Sequence, residues 1–328
     1  MSQSEQIAFD NPEAYISRDR RRALAAGLEM PDRVHGAALF ADISGFTPLT
    51  EALARELGPQ RGAEVLTANL NRVFGQVIDE LDRFGGDTIY FSGDAITCWL
   101  DADDGSRAIA CGLAMQEAMA RCGQIVTPAG ATVQLALKVA VAVGPARRFV
   151  VGDPEIQLID VLAGRLIDQL AAAEGHAGKG EVVLEQSVLE SLGDRIELGE
   201  RRLDAATGRE IAVAARLAAP VAGTPVTEPG AALPEELVRP WILPPVYERL
   251  RAGRGEFIAE LRPAIPVFVR FGGIDYDDDD AAAAKLDDFV RRAQRIFADY
   301  GGNLLQLTLG DKGASGVSNT VVAFGSLK

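Results

Sequence analysis

The most distinctive pattern in the chain is an apolar run, residues 36–42, that ends at a single carboxylate, Asp42, and is followed by a Ser-Gly pair. An apolar run bounded by turn residues predicts a buried strand. Thr47 and Pro48 then have the character of the N-cap and the first position of a helix. The pattern therefore predicts a strand, a sharp turn and a helix start, with Asp42 at the carboxyl end of the strand.

A second pattern, residues 87–100, predicts two short strands folded about a turn at Ser92, Gly93 and Asp94. This turn carries a second carboxylate. Backbone N–H groups at a helix start favour phosphate groups, and carboxylates favour divalent metal ions. The two patterns together indicate a site for a phosphate-bearing ligand and a metal.

The rest of the segment 36–217 alternates helix and strand patterns in an order typical of an α+β fold. We expect an antiparallel or mixed sheet that is covered by helices on one face. A broad apolar stripe between residues 66 and 81 predicts a core helix. Further helices are predicted at 108–119 and 162–174, and further strands at 133–141, 148–151, 156–160 and 181–184.

A weaker copy of this order follows a segment rich in proline, residues 218–245, which predicts a partly extended linker. A strand at 266–271, a helix at 286–300 and a hairpin over 304–324 repeat the first domain up to its first hairpin. The chain is therefore expected to be truncated within the second copy. The predicted domains are a lead-in helix (1–35), a first domain (36–217), a linker with a helix (218–262) and a partial second copy (263–328).

Composition and charge narrow the class of protein. At 328 residues the chain has room for two domains, and its hydrophobic content of 48% predicts an ordered protein. No apolar segment approaches the roughly 20 residues of a bilayer span, and no signal-peptide pattern is present, so we expect a cytoplasmic protein. The net charge of −14 argues against nucleic acid or an anionic membrane as a partner. An anionic nucleotide can still bind if metal ions bridge its phosphates to carboxylates.

Two other groups of residues have no predicted role in chemistry. Cys98, Cys111 and Cys122 are widely spaced within strand and helix patterns, which predicts buried reduced thiols. The acidic run 277–280 lacks the spacing and the glycine of a calcium loop, so we expect it to be solvated.

The segments F-A-D-I-S-G-F-T, at residues 40–47, and G-G-x-x-x-x-x-x-G-D-A, at residues 85–95, resemble the nucleotidyl cyclases of class III. The closer likeness is to bacterial relatives of soluble adenylate cyclase, which carry two cyclase halves in tandem. The resemblance implies a ferredoxin-like βαββαβ core and the formation of cyclic AMP and pyrophosphate from ATP. It also implies two Mg²⁺ or Mn²⁺ ions and a site formed by two complementary cyclase halves, within one chain or in a dimer.

The resemblance implies that the two carboxylates are metal ligands of the catalytic site. Asp42 and Asp94 would hold the two metal ions, which activate the ribose 3′-hydroxyl and neutralise the leaving phosphates. Asp87, which starts the second pattern, is the second choice for the role of Asp94. The segment after Asp42 would bind the triphosphate through its backbone, and its first residue is also assigned to the metal site: Ile43, Ser44, Gly45, Phe46 and Thr47.

In tandem cyclases of this kind, one half brings the metal carboxylates and the other brings a base-reading residue with an Asn and an Arg for the transition state. The first half of this chain has Asp168 and Ala172 where the Asn and the Arg stand, and Asp160 at a base-reading position of the pseudo-site. In the second half, Phe271 stands where the first half has its strand-end carboxylate. Gln306 stands at the position of the base-reading Lys.

Other functions stay open on the sequence. A cyclase-like module could bind metal and nucleotide as a sensor without turnover, and the missing Asn and Arg favour weak activity for this chain alone. A diguanylate cyclase is suggested by Gly85, Gly86 and Asp87, but Glu-Phe does not follow them. Tyr90 stands where bicarbonate-responsive cyclases have a Lys, so we do not expect activation by bicarbonate.

Overall fold

The apolar run at residues 36–42 forms the centre of a longer strand, β1 (Arg33–Ser44), in the computed structural model, which describes residues 11–224, 232–253, 264–313 and 316–326. Successive side chains of a strand point to opposite faces. Leu39, Ala41 and Ile43 are buried on one face of β1, and Asp42, on the other face, is half-buried. The predicted strand is thus present, and its alternation separates the core from Asp42.

Helices of the described residues follow in chain order as α1 (Arg18–Ala26), α2 (Phe46–Leu57), α3 (Pro59–Arg83), α4 (Ser106–Cys122), α5 (Arg165–Glu174), α6 (Gln186–Leu192), α7 (Glu235–Val238), α8 (Pro244–Arg251) and α9 (Ala282–Asp299). Short 3-10 helices lie at Pro12–Tyr15, Gly193–Arg195 and Arg239–Trp241. Among these described helices, none has the length and apolar character needed to cross a membrane.

The remaining strands are β2 (Asp87–Ser92), β3 (Ala95–Asp101), β4 (Gln124–Val126), β5 (Thr132–Gln134), β6 (Ala136–Val151), β7 (Ile159–Ala163), β8 (Val182–Glu185), β9 (Ile196–Leu203), β10 (Glu210–Leu217), β11 (Ala264–Phe271), β12 (Gly302–Gly313) and β13 (Gly316–Ser326).

The chain divides into two compact units, each made of separate stretches. The first unit comprises Val34–Ala146 and Arg165–Val226, and the second unit comprises Met1–Arg33, Arg147–Gly164 and Thr227–Lys328. The segment 147–164, assigned by sequence to the first domain, therefore groups with the second unit. The domain boundaries drawn from the sequence stay a prediction.

The first unit is built on a mixed sheet in the order β2-β3-β1-β6-β8-β10-β9. β6 and β8 are parallel, whereas β1–β3, β2–β3, β8–β10 and β9–β10 are antiparallel. In chain order, β1, α2 with α3, β2, β3, α4 and β6 follow the βαββαβ pattern. The predicted α+β fold with a mixed sheet is confirmed.

The core of the first unit contains the residues that the apolar stripes indicated. Val73, Val77 and Leu81 of α3 are fully buried in the same core as the apolar residues of β1. The cysteines Cys98, Cys111 and Cys122 are all buried free thiols, as predicted. Burial raises the pKa of the Cys98 thiol well above its usual range, so this thiol is neutral at physiological pH.

Two local predictions are wrong. The helix α2 begins at Phe46 with Gly45 as its N-cap, and no side chain caps it, so Thr47 lies inside the first turn. The helix predicted from residue 162 begins at Arg165, because Leu162 and Ala163 pair with β6 as the end of β7. In both places the helix starts directly after a tight turn at a glycine. Helix propensity alone did not reveal this starting point.

The hairpin of β9 and β10 was not predicted. Its first strand, Ile196–Leu203, is mostly exposed and carries alternating charges instead of an apolar run. It lies at the edge of the sheet, next to β10. An edge strand with one buried residue has little of the hydrophobic pattern from which strands are recognised.

The second unit contains a three-stranded sheet in the order β11-β13-β12, in which both pairings are antiparallel. In the first unit, β1, β3 and β2 have the same relative order and the same pairings. The helix α9 precedes β12 as α3 precedes β2. The internal repeat expected from the sequence is thus present in the described residues, up to the first hairpin of the second copy.

The end of β6 pairs with β7 to form a hairpin of the second unit, and α9 holds its loop. The loop backbone of Gly152 donates to Asp287, at 2.8 Å. The buried amide of Gln294 accepts from the backbone of Asp153 and donates to the backbone of Gln157, both at 2.7 Å. Buried polar groups of a loop need hydrogen-bond partners. The hydrogen bonds from α9 therefore stabilise this hairpin.

The proline-rich linker is more ordered than predicted. Residues 235–245 of this linker belong to α7, a 3-10 helix and the start of α8, which continues to Arg251. Val238, Trp241, Tyr247 and Leu250 from this stretch form a small core with Ile16 and Leu233. Prolines at the first positions of these helices are compatible with helix starts, which the prediction of an extended linker overlooked.

A buried ionic network joins α1 to the β6–β7 hairpin within the second unit. Arg148 is fully buried and pairs with both Asp19 and Asp160, the latter at 2.7 Å. Arg20 also pairs with Asp160, at 3.0 Å. Burial acts to raise the pKa of Asp19, but the charge and hydrogen bond of Arg148 outweigh it and hold that pKa below its ordinary value. Asp19 and Arg20 of the lead-in helix are therefore paired within this buried network.

We predict that Arg148→Met strongly destabilises the chain. Removing one partner from a buried ion pair leaves an uncompensated charge and typically costs about 3–5 kcal/mol. The lowered pKa of Asp19 means that the stabilisation is present above the unfolded pKa of Asp, about 3.9, and is lost as the pH falls through the folded value. Thermal and guanidinium unfolding measure the free energy of unfolding of both proteins. The difference in this free energy between wild type and variant should become smaller in acid.

Arg216→Met is the matched control, because its pair with Glu197 is largely exposed. This variant should leave the unfolding midpoint unchanged. Equal effects of Arg148→Met and Arg216→Met would contradict the role given to the buried network.

Candidate functional site

The two motif carboxylates lie next to each other at one end of the β1–β3 pair. Asp42 is the last residue of the antiparallel register and faces Ala95. The backbone N–H of Ile43 then donates to the backbone carbonyl of Asp94, at 3.0 Å. This bond ties the end of β1 to the hairpin turn and fixes Asp94 beside Asp42.

The turn that carries Asp94 connects β2 to β3 without loss of pairing, because Ser92 faces Ala95 across it. Gly93 has a φ of 64° in this turn, a left-handed conformation that glycine adopts without strain. Asp94 itself is exposed. The hairpin therefore presents one carboxylate to solvent, next to the half-buried carboxylate of Asp42.

The electrostatics of the pair favour a cation. Burial is the largest cause that raises the pKa of Asp42, and the negative charge of Asp94 raises it further. Two carboxylates held together repel each other, and a divalent ion between them relieves this repulsion. Oxygen ligands of this kind suit Mg²⁺ and Mn²⁺. Within the described residues, no group of three or more His, Cys, Asp or Glu side chains could hold a metal ion, and the candidate donor set is this pair.

The chain after Asp42 turns sharply into α2. Gly45 has a φ of 106°, and a Cβ atom there would lie 3.0 Å from the backbone oxygen of Gln134. Ser44 Oγ donates to the backbone oxygen of Ala136 on β6, at 3.3 Å. The first amides of a helix have no partner within it, so those of Phe46 and Thr47 lie at the positive end of α2, close in sequence to Asp42.

Asp87, the second choice from the sequence, lies at the other end of the hairpin. It is buried and faces Trp99, and Trp99 faces Ala38 of β1. Ala38 is four residues before Asp42, which corresponds to about 13 Å along a strand. This separation favours Asp94 over Asp87 as the partner of Asp42.

Two charged residues near Asp42 were missed by the sequence analysis. Lys138 lowers the pKa of Asp42 and Glu174 raises it, after the larger effects of burial and Asp94. Lys138 lies on β6, next to β1, two residues from the contact of Ser44 with Ala136. Leu137 and Val139 belong to the same core as Ala41 and Ile43, so Lys138 and Asp42, which alternate with them, lie on the opposite face of the sheet. Lys138 is the one charged residue of the predicted strand 133–141, but no local pattern relates it to Asp42.

The other predicted site residues lie elsewhere. Asp168 and Ala172 lie on α5 of the first unit. Asp160 belongs to the buried network with Arg148 and Arg20 in the second unit, so its carboxylate is already paired. Gln306 lies on β12 of the second unit, and its side-chain amide donates to Thr308 at 2.8 Å. Its base-reading role stays a prediction.

The second copy carries no acidic residue at the strand position that was compared with Asp42. Phe271 is packed on the helix-facing side of β11 and stacks on Phe289 of α9, with 4.4 Å between ring centroids. Asp42 lies on the opposite face of its own strand. By alternation, the residue of β11 on the face corresponding to that of Asp42 is Arg270, which is a cation and not a metal ligand.

Comparison with known proteins finds similarity to cyclases. No protein-family model matches the chain. Adenylate cyclase type 10 from Homo sapiens and from Oryctolagus cuniculus are each 40% identical to it over 65 residues, which is 20% of this chain. The matched stretch is 4% of the length of each relative. This match confirms the resemblance to nucleotidyl cyclases of class III.

Solved structures of cyclases are also similar to the chain. The guanylyl cyclase Cya2 is 26% identical, with 60% of this chain and 98% of that chain covered and a TM-score of 0.48. The adenylyl cyclase CyaB from P. aeruginosa is 20% identical, with 56% and 95% covered and a TM-score of 0.45. A bacterial light-regulated adenylyl cyclase is 16% identical, with 65% and 61% covered and a TM-score of 0.49. Both adenylyl and guanylyl cyclases are thus among the similar proteins.

We predict that Gly45→Ala destabilises the first unit more than Gly208→Ala does. Both glycines have a positive φ, which costs other residues about 1–2 kcal/mol. A Cβ atom at Gly208 meets nothing within 4 Å, whereas one at Gly45 meets the backbone of Gln134. Thermal unfolding of the two variants measures the difference, and equal losses would mean that the backbone approach at Gly45 is unimportant.

Proposed function

We propose that this chain is the metal-binding part of a class III nucleotidyl cyclase that forms cyclic AMP and pyrophosphate from ATP. The observation that carries the proposal is the placement of Asp94 next to Asp42: Asp42 faces Ala95 across the β1–β3 pair, and the backbone N–H of Ile43 donates to the carbonyl of Asp94. The motifs that supply both carboxylates are those that resemble the cyclase family.

In this reaction the ribose 3′-oxygen attacks the α-phosphorus, and pyrophosphate leaves. When bound, two Mg²⁺ or Mn²⁺ ions would lower the pKa of the 3′-hydroxyl and neutralise charge on the phosphates. Asp42 and Asp94 would hold these ions, with the backbone of Ile43 beside them. Mg²⁺ usually binds one or two carboxylates together with substrate phosphates and water, which fits a pair of carboxylates at the edge of a strand.

The neighbouring backbone and Lys138 would bind the triphosphate. The amides of Ser44, Gly45, Phe46 and Thr47 belong to the turn and the start of α2, where anions are favoured. Lys138 supplies a positive charge on the same face as Asp42. The chain therefore combines negative groups for the metal with positive groups for phosphate, in adjacent strands of one sheet.

Adenine preference is the finer part of the proposal. Gln306 stands at the position of the base-reading Lys, and an amide can both donate to and accept from a base edge. It therefore discriminates ATP from GTP less firmly than a lysine paired with a carboxylate.

A second candidate function is a nucleotide-binding regulatory module without turnover. The observation that favours it is the pair Asp168 and Ala172 on α5, at positions where the family has Asn and Arg. Losing one preorganised donor to a developing charge typically costs roughly 10²–10³ in rate. A complementary cyclase half would have to supply these donors for fast catalysis.

The metal assignment predicts the effect of single charge removals. Asp42→Asn and Asp94→Asn should each weaken Mn²⁺ binding in the presence of ATP by at least about tenfold, because half of the carboxylate pair is lost. Asp87→Asn should leave binding within a factor of two or three of wild type. Mn²⁺ titration followed by electron paramagnetic resonance measures free ion directly. Equal losses in Asp87→Asn and Asp94→Asn, at equal thermal stability, would overturn the assignment.

Turnover separates the enzyme from the regulatory module. With Mn²⁺, we expect the purified chain to make little cyclic AMP from ATP and still less cyclic GMP from GTP. The double variant Asp168→Asn with Ala172→Arg should raise the rate if these positions correspond to the transition-state pair. Robust turnover by wild type would refute the division of work between halves. Nucleotide binding with no product in either protein would favour the regulatory module.

A further inference from the structure

A groove of about 580 Å³ lies between α6 and the β9–β10 hairpin, within the first unit. Its lining residues fall between Gln186 and Glu210, and neither Asp42 nor Asp94 is among them. Clefts that bind ligands commonly have volumes of about 300–1,000 Å³. The groove therefore has room for several side chains of a ligand, at a place separate from the candidate metal site.

A register shift in the hairpin brings three lining side chains to one face of β9. In a regular strand, Leu198 and Leu203 would lie on opposite faces. The pairing slips where Arg201 faces Ala212 and Leu198 faces Ala214, so that β9 has one more residue than β10 in this interval. An extra residue of this kind reverses the alternation. Leu198, Arg201 and Leu203 accordingly all line the groove.

The floor of the groove is apolar and partly open. Leu189 of α6 and Leu198 of β9 pack against the core of the first unit, and both are half-buried. Leu203 is 67% exposed. Apolar surface that is rimmed by polar residues marks a site of interaction more often than scattered apolar side chains do. The groove therefore offers its leucines to an apolar side chain of a partner.

The rim of the groove is negatively charged. Glu190 and Asp194 are exposed on the side of α6. Arg201 is paired with Glu210, so these two charges neutralise each other. The lining of three carboxylates and one guanidinium therefore carries a net charge of −2, which comes from Glu190 and Asp194.

The charge of the groove selects its occupant. A second copy of this chain carries a net charge of −14, and nucleic acids and anionic membranes are negative as well, so the rim disfavours all three. Arg209 lies near Glu190, but it is paired with the buried carboxylate of Glu185. The cations that complement Glu190 and Asp194 would therefore come from a basic partner.

We propose that the groove between α6 and β9 binds an extended segment of a partner protein in which Lys or Arg alternates with Leu. Alternate side chains of an extended segment point to opposite sides, so its leucines can all face the floor. The long basic side chains can bend towards the rim and keep their charges in water. This inference is independent of the proposed cyclase activity, because it rests on the groove alone.

The test uses the full chain and a fluorescent synthetic peptide of three Lys-Leu repeats, with binding read by fluorescence anisotropy. We expect saturable binding with a Kd below about 1 mM. Raising the salt concentration from about 50 to about 500 mM should weaken binding, because salt screens exposed charges. A peptide of three Glu-Leu repeats has the same leucines and the opposite charge, and it should not bind.

A first pair of variants separates the rim from the overall charge of the chain. Glu190→Gln with Asp194→Asn should weaken peptide binding about fivefold to tenfold, because two exposed ion pairs are lost. Glu197→Gln with Glu200→Gln is the matched control, since it removes the same charge from β9 at residues that do not line the groove. This control should leave the Kd within about a factor of two.

A second pair of variants tests the floor. Leu203→Ala should weaken binding at least about threefold, because less apolar surface is buried by the peptide. Leu28→Ala is the matched control, since Leu28 is 68% exposed and lies outside the groove. Both substitutions are at exposed positions, so thermal unfolding should confirm that the fold of each variant is unchanged.

Four results would overturn the proposal. The first two are no saturable binding at millimolar peptide and equal binding of the Glu-Leu peptide. The third is equal weakening by a variant and its control, which would mean that the peptide recognises the acidic chain as a whole. The fourth is self-association of the chain that Leu203→Ala abolishes, seen by light scattering, which would assign the groove to a second copy.

Discussion

The candidate site depends on one constraint, the register between β1 and β3. That register places Asp42 opposite Ala95, and the bond from Ile43 to Asp94 extends it by one step into the turn. Two carboxylates are thereby held together, although their charges repel and burial further disfavours ionised Asp42. The buried side chains of Leu39, Ala41 and Ile43 stabilise the strand that holds them. The core thus offsets the repulsion between the two carboxylates, which a cation between them would relieve.

The sequence allowed the strand, the hairpin and both carboxylates to be predicted, because alternation and turn residues are local signals. The start of α2 was not predictable from Thr47 and Pro48. It depends on Gly45, which has a positive φ and lies close to the backbone of Gln134, a residue distant in sequence. Lys138 was missed for a similar reason. Its relation to Asp42 follows from the pairing of neighbouring strands, which no local pattern contains.

The second unit shows where local patterns mislead. Prolines in residues 218–245 indicated a partly extended linker, yet Pro240, Pro244 and Pro245 lie at the starts of short helices that share a core with Ile16. Asp160 matched a base-reading position by motif, but Arg148 and Arg20 neutralise it in a buried network. A motif reports residue types, whereas the charges brought by a distant segment such as α1 decide whether a carboxylate is available. Tertiary ion pairs of this kind are not encoded at any fixed spacing.

The two copies of the sheet differ on the face that carries Asp42 in the first copy. The first copy ends its central strand with a carboxylate facing away from the helices, and the second has Arg270 on the corresponding face. Phe271 instead completes the apolar contact with Phe289. A strand can conserve its core face while its other face changes freely, because packing constrains alternate residues only. The second copy therefore keeps the order of the three strands but has no carboxylate in β11.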